Sequence, residues 1–217
     1  VAPAVRHEAV LSSRIEGTHA GIEDLFFFEA EPESAADPSD VREVANYVTA
    51  LEYGLDRLRS LPLSLRLIRE IHERLMRGVR GDAARPGEFR TTQNWIGPPG
   101  CTLMEATFVP PPPPEMLEAL DALEKYLHRE NDLTPPLVKL ALIHSQFETI
   151  HPFADGNGRV GRLLLILLLV HWGLLPLPLL YLSAFFERHR EDYYRGLLSV
   201  GTRGDWEGWI VFFLRGV

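Results

Sequence analysis

The chain has 217 residues, one cysteine and a formal net charge of −8, and 46% of its residues are hydrophobic. That is enough apolar material for one sizeable core and too much for intrinsic disorder. The lone Cys101 excludes an internal disulfide and favours a reducing, cytoplasmic setting. The acidic balance, with basic residues scattered as in Arg57-Leu58-Arg59 and Glu187-Arg188-His189-Arg190, argues against nucleic acid as the main partner.

Apolar periodicity predicts a mainly helical, all-α chain, with helices near 4–16, 40–60, 64–79, 115–130, 136–150, 157–172, 185–200 and 205–214. One short β-hairpin is expected between Gly87 and Pro110. The chain divides at 35/36 into an N-terminal segment and a main body, expected to form one compact unit. The first helix closes with Ser12-Ser13-Arg14-Ile15-Glu16-Gly17, where a glycine past the helix end is an ordinary stop. His72-Glu73 begins like a zinc-binding helix, but Met76 stands where the second histidine belongs, so no zinc site is assigned. Pro111 to Pro114 form a short polyproline stretch. Pro135 and Pro136 suit the start of the helix over 136–150, because a first helical turn does not need their missing donors. Pro152 disfavours α conformation at His151, so that helix ends there. Leu163 to Leu182 is leucine-rich, but Trp172-Gly173, Pro176 and Pro178 interrupt it. It reads as a core helix, apolar all round, followed by a loop, and not as a membrane span.

The most informative run is His151-Pro152-Phe153-Ala154-Asp155-Gly156-Asn157-Gly158-Arg159-Val160-Gly161-Arg162. His151 sits on the rim of a loop and is suited to accept a proton near neutral pH. Gly156 and Gly158 permit positive φ and close approach of backbone to a ligand. The following helix starts at about Asn157 or Gly158, and its unpaired N–H groups make an anion site. Arg159 and Arg162, three apart, project from its first turns. Two guanidiniums there oppose the helix dipole, which makes sense if a polyanion occupies the site. Asp155 fits a hard cation, since Mg²⁺ is usually held by one or two carboxylates plus substrate phosphates. Together these parts imply nucleotide-dependent transfer onto a hydroxyl.

The run resembles the signature of the Fic family, H-P-F-x-D-G-N-G-R-x-x-R, at every specified position. Gly87-Glu88-Phe89-Arg90-Thr91-Thr92-Gln93-Asn94-Trp95-Ile96-Gly97 resembles the entrance to that family's flap hairpin, and Thr107 to Pro114 its exit. Ser12 to Gly17 resembles the family's inhibitory motif, whose glutamate pairs with the last arginine of the signature, here Glu16 with Arg162. The resemblance implies an autoinhibited protein adenylyltransferase that uses ATP and Mg²⁺ to modify a Ser, Thr or Tyr hydroxyl of a target protein and of itself. It implies His151 as base and Asp155 as metal ligand. Gly156, Asn157, Gly158, Arg159 and Arg162 would hold the phosphates, with Arg162 at the γ-phosphate. Tyr194 resembles the position beside the base, although Tyr193 is equally suited to point inward. Trp95 and Ile96 either clamp a target segment or anchor the hairpin. Three other readings stay open: removal of AMP with Glu16 orienting water, transfer of a different group such as phosphate, and a non-catalytic nucleotide-sensing module. Neither a membrane nor nucleic acid is an expected partner; the target protein and any homo-oligomer are left open.

Overall fold

The most buried element is the helix over Asn157–His171, in which every residue from Leu163 to Leu169 is 3% exposed or less. A helix apolar on all sides must be surrounded, and the chain wraps it accordingly. The computed structural model describes residues 2–31, 38–79, 85–130 and 132–217. Among these the helices are α1 (Ala2–Ile15), α2 (Ile22–Ala30), α3 (Pro38–Arg57), α4 (Leu65–Leu75), α5 (Pro113–Leu127), α6 (Pro136–Ile150), α7 (Asn157–His171), α8 (Leu182–Arg188), α9 (Arg190–Arg203) and α10 (Trp206–Gly216). Helices α6, α3, α4 and α1 pack on α7. An outer layer follows, with α5 on α6, α2 on α3, α8 on α1, and α10 on both α6 and α9. Among the described residues no helix is long and apolar enough to cross a membrane.

Local chemistry sets several of the helix ends. Ser64 accepts a hydrogen bond from Leu67 N–H at the start of α4, and Asp205 accepts one from Gly208 N–H at the start of α10. Pro135 and Pro136 open α6, and His151 ends it as expected. Two expectations needed correction. Helix α2 was not anticipated, because over nine residues it fully buries only Leu25 and leaves Phe26 and Phe27 half exposed, so it shows no clear apolar stripe. The single helix expected over 185–200 is two helices. His189 ends α8 and begins α9, at φ −113° and ψ 39°, outside helical geometry. The expected division at 35/36 lies outside the described residues.

The expected hairpin is reduced to one antiparallel bridge between Ile96 and Phe108, which exchange N–H···O bonds of 2.9 and 3.1 Å. In an antiparallel ladder the next hydrogen-bonded pairs would be 94 with 110 and 98 with 106. Pro110 and Pro98 occupy one member of each pair, and proline has no N–H to give. A 3-10 turn over Leu103–Glu105 fills the tip between the two bridge residues.

Helix α1 is attached through polar groups on its buried ridge. Val5, Glu8, Ser12 and Ile15 follow helical spacing and all are buried. The Glu8 carboxyl meets the Ser183 hydroxyl and accepts from Ser183 N–H at 3.3 Å, joining α1 to α8. Burial pushes Glu8 up from 4.5 to about 7, against the opposing hydrogen bonds from Ser183 and the charge of Arg162. Below pH 4.5 this carboxyl is protonated in folded and unfolded chains alike. As pH rises from there to about 7 the unfolded chain ionises first, so stability is lost across that window and stays lost above it. A rise of that size corresponds to roughly 3 kcal/mol. Glu8→Gln copies the protonated form. It should melt at the parent's temperature at pH 4.5 and roughly 6–12 °C higher at pH 8. Calorimetric melting at the two pH values checks this, and an equal difference at both would refute it.

Candidate functional site

The loop between α6 and α7 is held on all sides. His151 takes the left-handed conformation, φ 49° and ψ 60°, and its N–H still reaches the Phe147 carbonyl at 3.0 Å. A non-glycine residue there is strained, and such strain is found where surrounding contacts over-determine it. Those contacts come chiefly from Arg90, buried at the root of the flap. Its guanidinium donates to the carbonyls of His151 (2.9 Å), Pro111 (2.5 Å), Thr92 (3.2 Å) and Ile150 (3.4 Å). Its own N–H donates to the Pro152 carbonyl at 2.9 Å. Asn94 adds a bond to the Phe153 carbonyl at 3.0 Å. The His151 ring places Nδ1 3.3 Å from the Glu148 carbonyl, which suits an Nδ1–H donor and leaves Nε2 as the acceptor. Burial lowers its pKa from 6.5 to about 4, so the ring is neutral near pH 7.

Gly156 caps α7 at φ 79°, the left-handed region the sequence anticipated. Gly158 is glycine for a different reason. Its φ is not positive, and a Cβ there would collide with the Glu16 carboxylate and lie 3.1 Å from Arg162 Nη1. The Asn157 amide accepts from Phe153 N–H and donates to Phe153 C=O, both at 2.8 Å, so its side chain staples the loop.

The two arginines do not share an open face. Arg162 is buried against α1, donating through Nε to Ser12 Oγ at 2.8 Å and through Nη2 to Ser12 C=O at 3.0 Å and Glu16 at 2.6 Å. The Glu16–Arg162 pairing implied by the family resemblance is therefore formed. Burial alone would raise the Glu16 pKa, but the charge and hydrogen bond of Arg162 overcome it and the net shift is downward. Arg159 turns the other way, to Glu43 on α3 at 3.1 Å, with Asp155 at 4.0 Å. Thr18, just past the Ser12–Gly17 run, donates to the same Glu43 oxygen at 2.8 Å. Each cation opposing the α7 dipole is thus compensated by a carboxylate from another element, Glu16 from the turn after α1 and Glu43 from α3. Glu43 was missed in the sequence. The available signal was a carboxylate on the ridge Glu43, Tyr47, Ala50, whose other members are fully buried.

Glu16, Glu43, Asp155 and Arg159 line a cavity of about 250 Å³. The Asp155 side chain is 53% exposed there. One open carboxylate beside a helix N-terminus matches the donor set Mg²⁺ uses when phosphates supply the remaining oxygens, so these residues fit that ion. Glu148 is no substitute ligand, because burial raises its pKa to about 8 and keeps it protonated near neutral pH. Arg162 Nη1 and Arg159 Nε are buried and have no hydrogen-bond partner among the described residues, which suits an anion.

Of the two tyrosines, Tyr193 is buried with its hydroxyl 2.8 Å from His144 Nε2, inside an aromatic cluster with Phe186 and Trp209. Tyr194 is 43% exposed, so it is Tyr194 that stays accessible while Tyr193 is committed to the core. Trp95 is 42% exposed and ties its indole N–H to the Cys101 carbonyl at 3.0 Å, within the flap and not against the core. Ile96 holds the bridge and is equally exposed.

The Fic/DOC family N-terminal profile matches residues 1–56 and the Fic/DOC family profile residues 62–169. Similar proteins include Protein adenylyltransferase Fic of Culex quinquefasciatus, 33% identical over 144 residues, covering 66% of this chain and 25% of that protein. The protein of the same name from Drosophila grimshawi is 31% identical over 165 residues, covering 75% of this chain and 30% of its own. The chain thus spans less than a third of the length of these relatives. Among solved structures, a Fic family protein from Desulfovibrio desulfuricans G20 superposes with a TM-score of 0.81 at 27% identity, over 99% of this chain and 62% of that one. A Fic domain containing signaling protein from Bacteroides thetaiotaomicron VPI-5482 shares the fold, with a TM-score of 0.78 at 20% identity over 99% and 81% of the two chains. With its N-terminal segment and its histidine-to-arginine loop both matched, the chain belongs to the Fic/DOC family.

Proposed function

We propose that this chain is an autoinhibited protein adenylyltransferase that transfers AMP from ATP to a hydroxyl of a target protein and of itself. The observation that carries the reading is the convergence at the α7 N-terminus of His151, Asp155 and two buried arginines, one of them paired to Glu16. The name shared by the relatives, Protein adenylyltransferase Fic, supports the same chemistry. In the reaction the target oxygen bonds to the α-phosphorus as the bond to pyrophosphate breaks, and the hydroxyl proton passes to His151 Nε2. Magnesium held by Asp155 and the phosphates would neutralise charge on the leaving pyrophosphate. Arg162, whose Nη1 lies near Gly158, would meet the γ-phosphate, and Arg159 the β-phosphate. Tyr194 borders the space for adenine. Trp95 and Gly97 alternate with Ile96 along the flap, so their backbone groups face away from the bridge and suit an added target strand. This is catalysis by positioning and charge stabilisation, as is usual for phosphoryl transfer.

His151→Ala should lower AMP transfer by roughly a hundred- to ten-thousand-fold while ATP binding persists, because the ring meets the attacking oxygen and not the phosphates. Incorporation of α-labelled ATP, set beside calorimetric binding, checks this; near-parental transfer would remove His151 as base.

Asp155→Ala should weaken Mg²⁺-dependent ATP binding and transfer together. An unchanged Mg²⁺ activation curve would place the cation elsewhere.

With Glu16 on Arg162, an incoming γ-phosphate meets a carboxylate in place of a free cation. Two unit charges about 4 Å apart interact by roughly 4 kcal/mol at an effective dielectric of about 20, and about 1.4 kcal/mol is enough for a tenfold rate change. Glu16→Gly should raise self- and target-modification by at least about tenfold. Arg162→Ala should not, because it removes the phosphate contact along with the lock. Unchanged transfer by a folded Glu16→Gly protein would refute autoinhibition. A second reading uses the same carboxylate: the Glu16 side chain is 33% exposed on the cavity, so it can orient a water that removes AMP. Loss of α-label from a pre-modified target with parent but not with Glu16→Gly would favour it.

A further inference from the structure

His72 is fully buried on α4, and the transfer chemistry does not use it. Its Nδ1 lies 2.8 Å from Gly87 N–H and its Nε2 lies 3.0 Å from the Asp155 carbonyl. A backbone N–H only donates and a carbonyl only accepts, so the ring is neutral with its proton on Nε2. Phe153 stacks on it at 3.7 Å with an interplanar angle of 4°. A Cβ at Gly156 would lie 3.5 Å from Nε2 and 2.7 Å from Met76 Sδ, so α4 presses directly on the loop backbone.

The bond to Asp155 has a particular consequence. The Asp155 C=O and the Gly156 N–H belong to one peptide unit. His72 grips its oxygen, and Asp155 Oδ1 accepts from its N–H at 2.6 Å. Turning that peptide would therefore carry the Asp155 carboxylate with it. The other ring nitrogen ties the same assembly to Gly87, where the flap begins.

We propose that His72 is a positioning residue that orients the Asp155 carboxylate toward the cation of a bound nucleotide and fixes the flap root to the same loop. This rests on the reading of Asp155 as the metal carboxylate. Outer partners of metal ligands typically contribute about 10- to 100-fold to metal affinity, and His72 acts in that way through the peptide bond, touching neither cation nor substrate.

Two substitutions separate the two bonds. In His72→Gln the amide nitrogen stands near the place of Nε2 and keeps the donor to Asp155. In His72→Asn the amide oxygen stands near the place of Nδ1 and keeps the acceptor for Gly87, but the donor is lost. Both go into the Glu16→Gly protein, and ATP is titrated calorimetrically over a series of Mg²⁺ concentrations, alongside α-label transfer. His72→Asn should need about tenfold more Mg²⁺ for half-maximal ATP binding, and His72→Gln should stay within about twofold of the parent. Hydrogen exchange at Gly156 N–H should quicken in the Asn variant and not in the Gln variant. Equal behaviour of the two variants in Mg²⁺ dependence or in exchange overturns the proposal. If a parent binds Mg²⁺ and ATP but transfers nothing, the adenylyltransferase reading fails while the variant comparison still decides the role of His72. Should neither variant fold, ¹⁵N resonances of His72 in the unsubstituted protein decide: an Nε2-protonated ring with protected Gly87 and Gly156 amides supports it, and an Nδ1-protonated ring overturns it.

Discussion

A helix apolar on every side, with two guanidiniums in its opening turns, can be buried only if both charges are met. The Arg162 side chain is 1% exposed and that of Arg159 is 4% exposed. An unpaired charge so buried would be strongly destabilising. The need is answered from two directions, by Glu16 and Ser12 on the α1 side and by Glu43 on α3. The packing of α1 and α3 on α7 is thus also the neutralisation of the α7 N-terminus. The contact proposed as an inhibitory lock is part of what makes the core possible, and any anion entering the site competes with carboxylates that belong to the fold.

The loop preceding α7 poses the complementary problem, because its backbone carbonyls are turned inward. Arg90 meets those of His151 and Pro152, together with Ile150 at the end of α6 and Thr92 and Pro111 of the flap, Asn94 and Asn157 reach Phe153, and His72 takes Asp155. A planar guanidinium with five donors suits this crowded arrangement, and lysine could not replace it. The same bonds that meet the polar requirement remove freedom from His151 and Asp155. Rigidity at the site therefore follows from satisfying buried backbone, and it explains how His151 is kept in a left-handed conformation.

Burial also sets protonation across the centre of the molecule. Glu8 and Glu148 are pushed up to about 7 and 8, while His144, His72 and His151 are pushed down to about 3, 4 and 4. Desolvation is the largest cause in every case and acts against the charged form, whichever sign it carries. Glu16 escapes because Arg162 is at 2.6 Å. Near neutral pH the Glu16–Arg162 pair thereby keeps its charge, while His151 is left uncharged and able to accept a proton.

What the chain settled locally was readable from it. Helical spacing, Pro152 after His151 and the glycine at 156 determined where α6 stops and α7 starts, because those limits are steric and act within a few residues. The family motif named the residues that would meet, including Glu16 and Arg162, which stand 146 positions apart. The sequence left undecided whatever depended on a partner from elsewhere in the fold. Helical phase could not choose between Tyr193 and Tyr194, because the choice was made by His144 and the aromatic cluster behind it. That the Asn157 side chain bonds to Phe153, and that Glu16 fills the space where a Cβ of residue 158 would stand, could not be read from neighbouring residues. For Glu43 and His72 the pattern marked at most a polar group on a buried ridge and not its role, since a carboxylate or imidazole there acquires its meaning from what packs against it. Local sterics are written in neighbouring residues; the pairing of buried charges and carbonyls is decided only when distant helices meet.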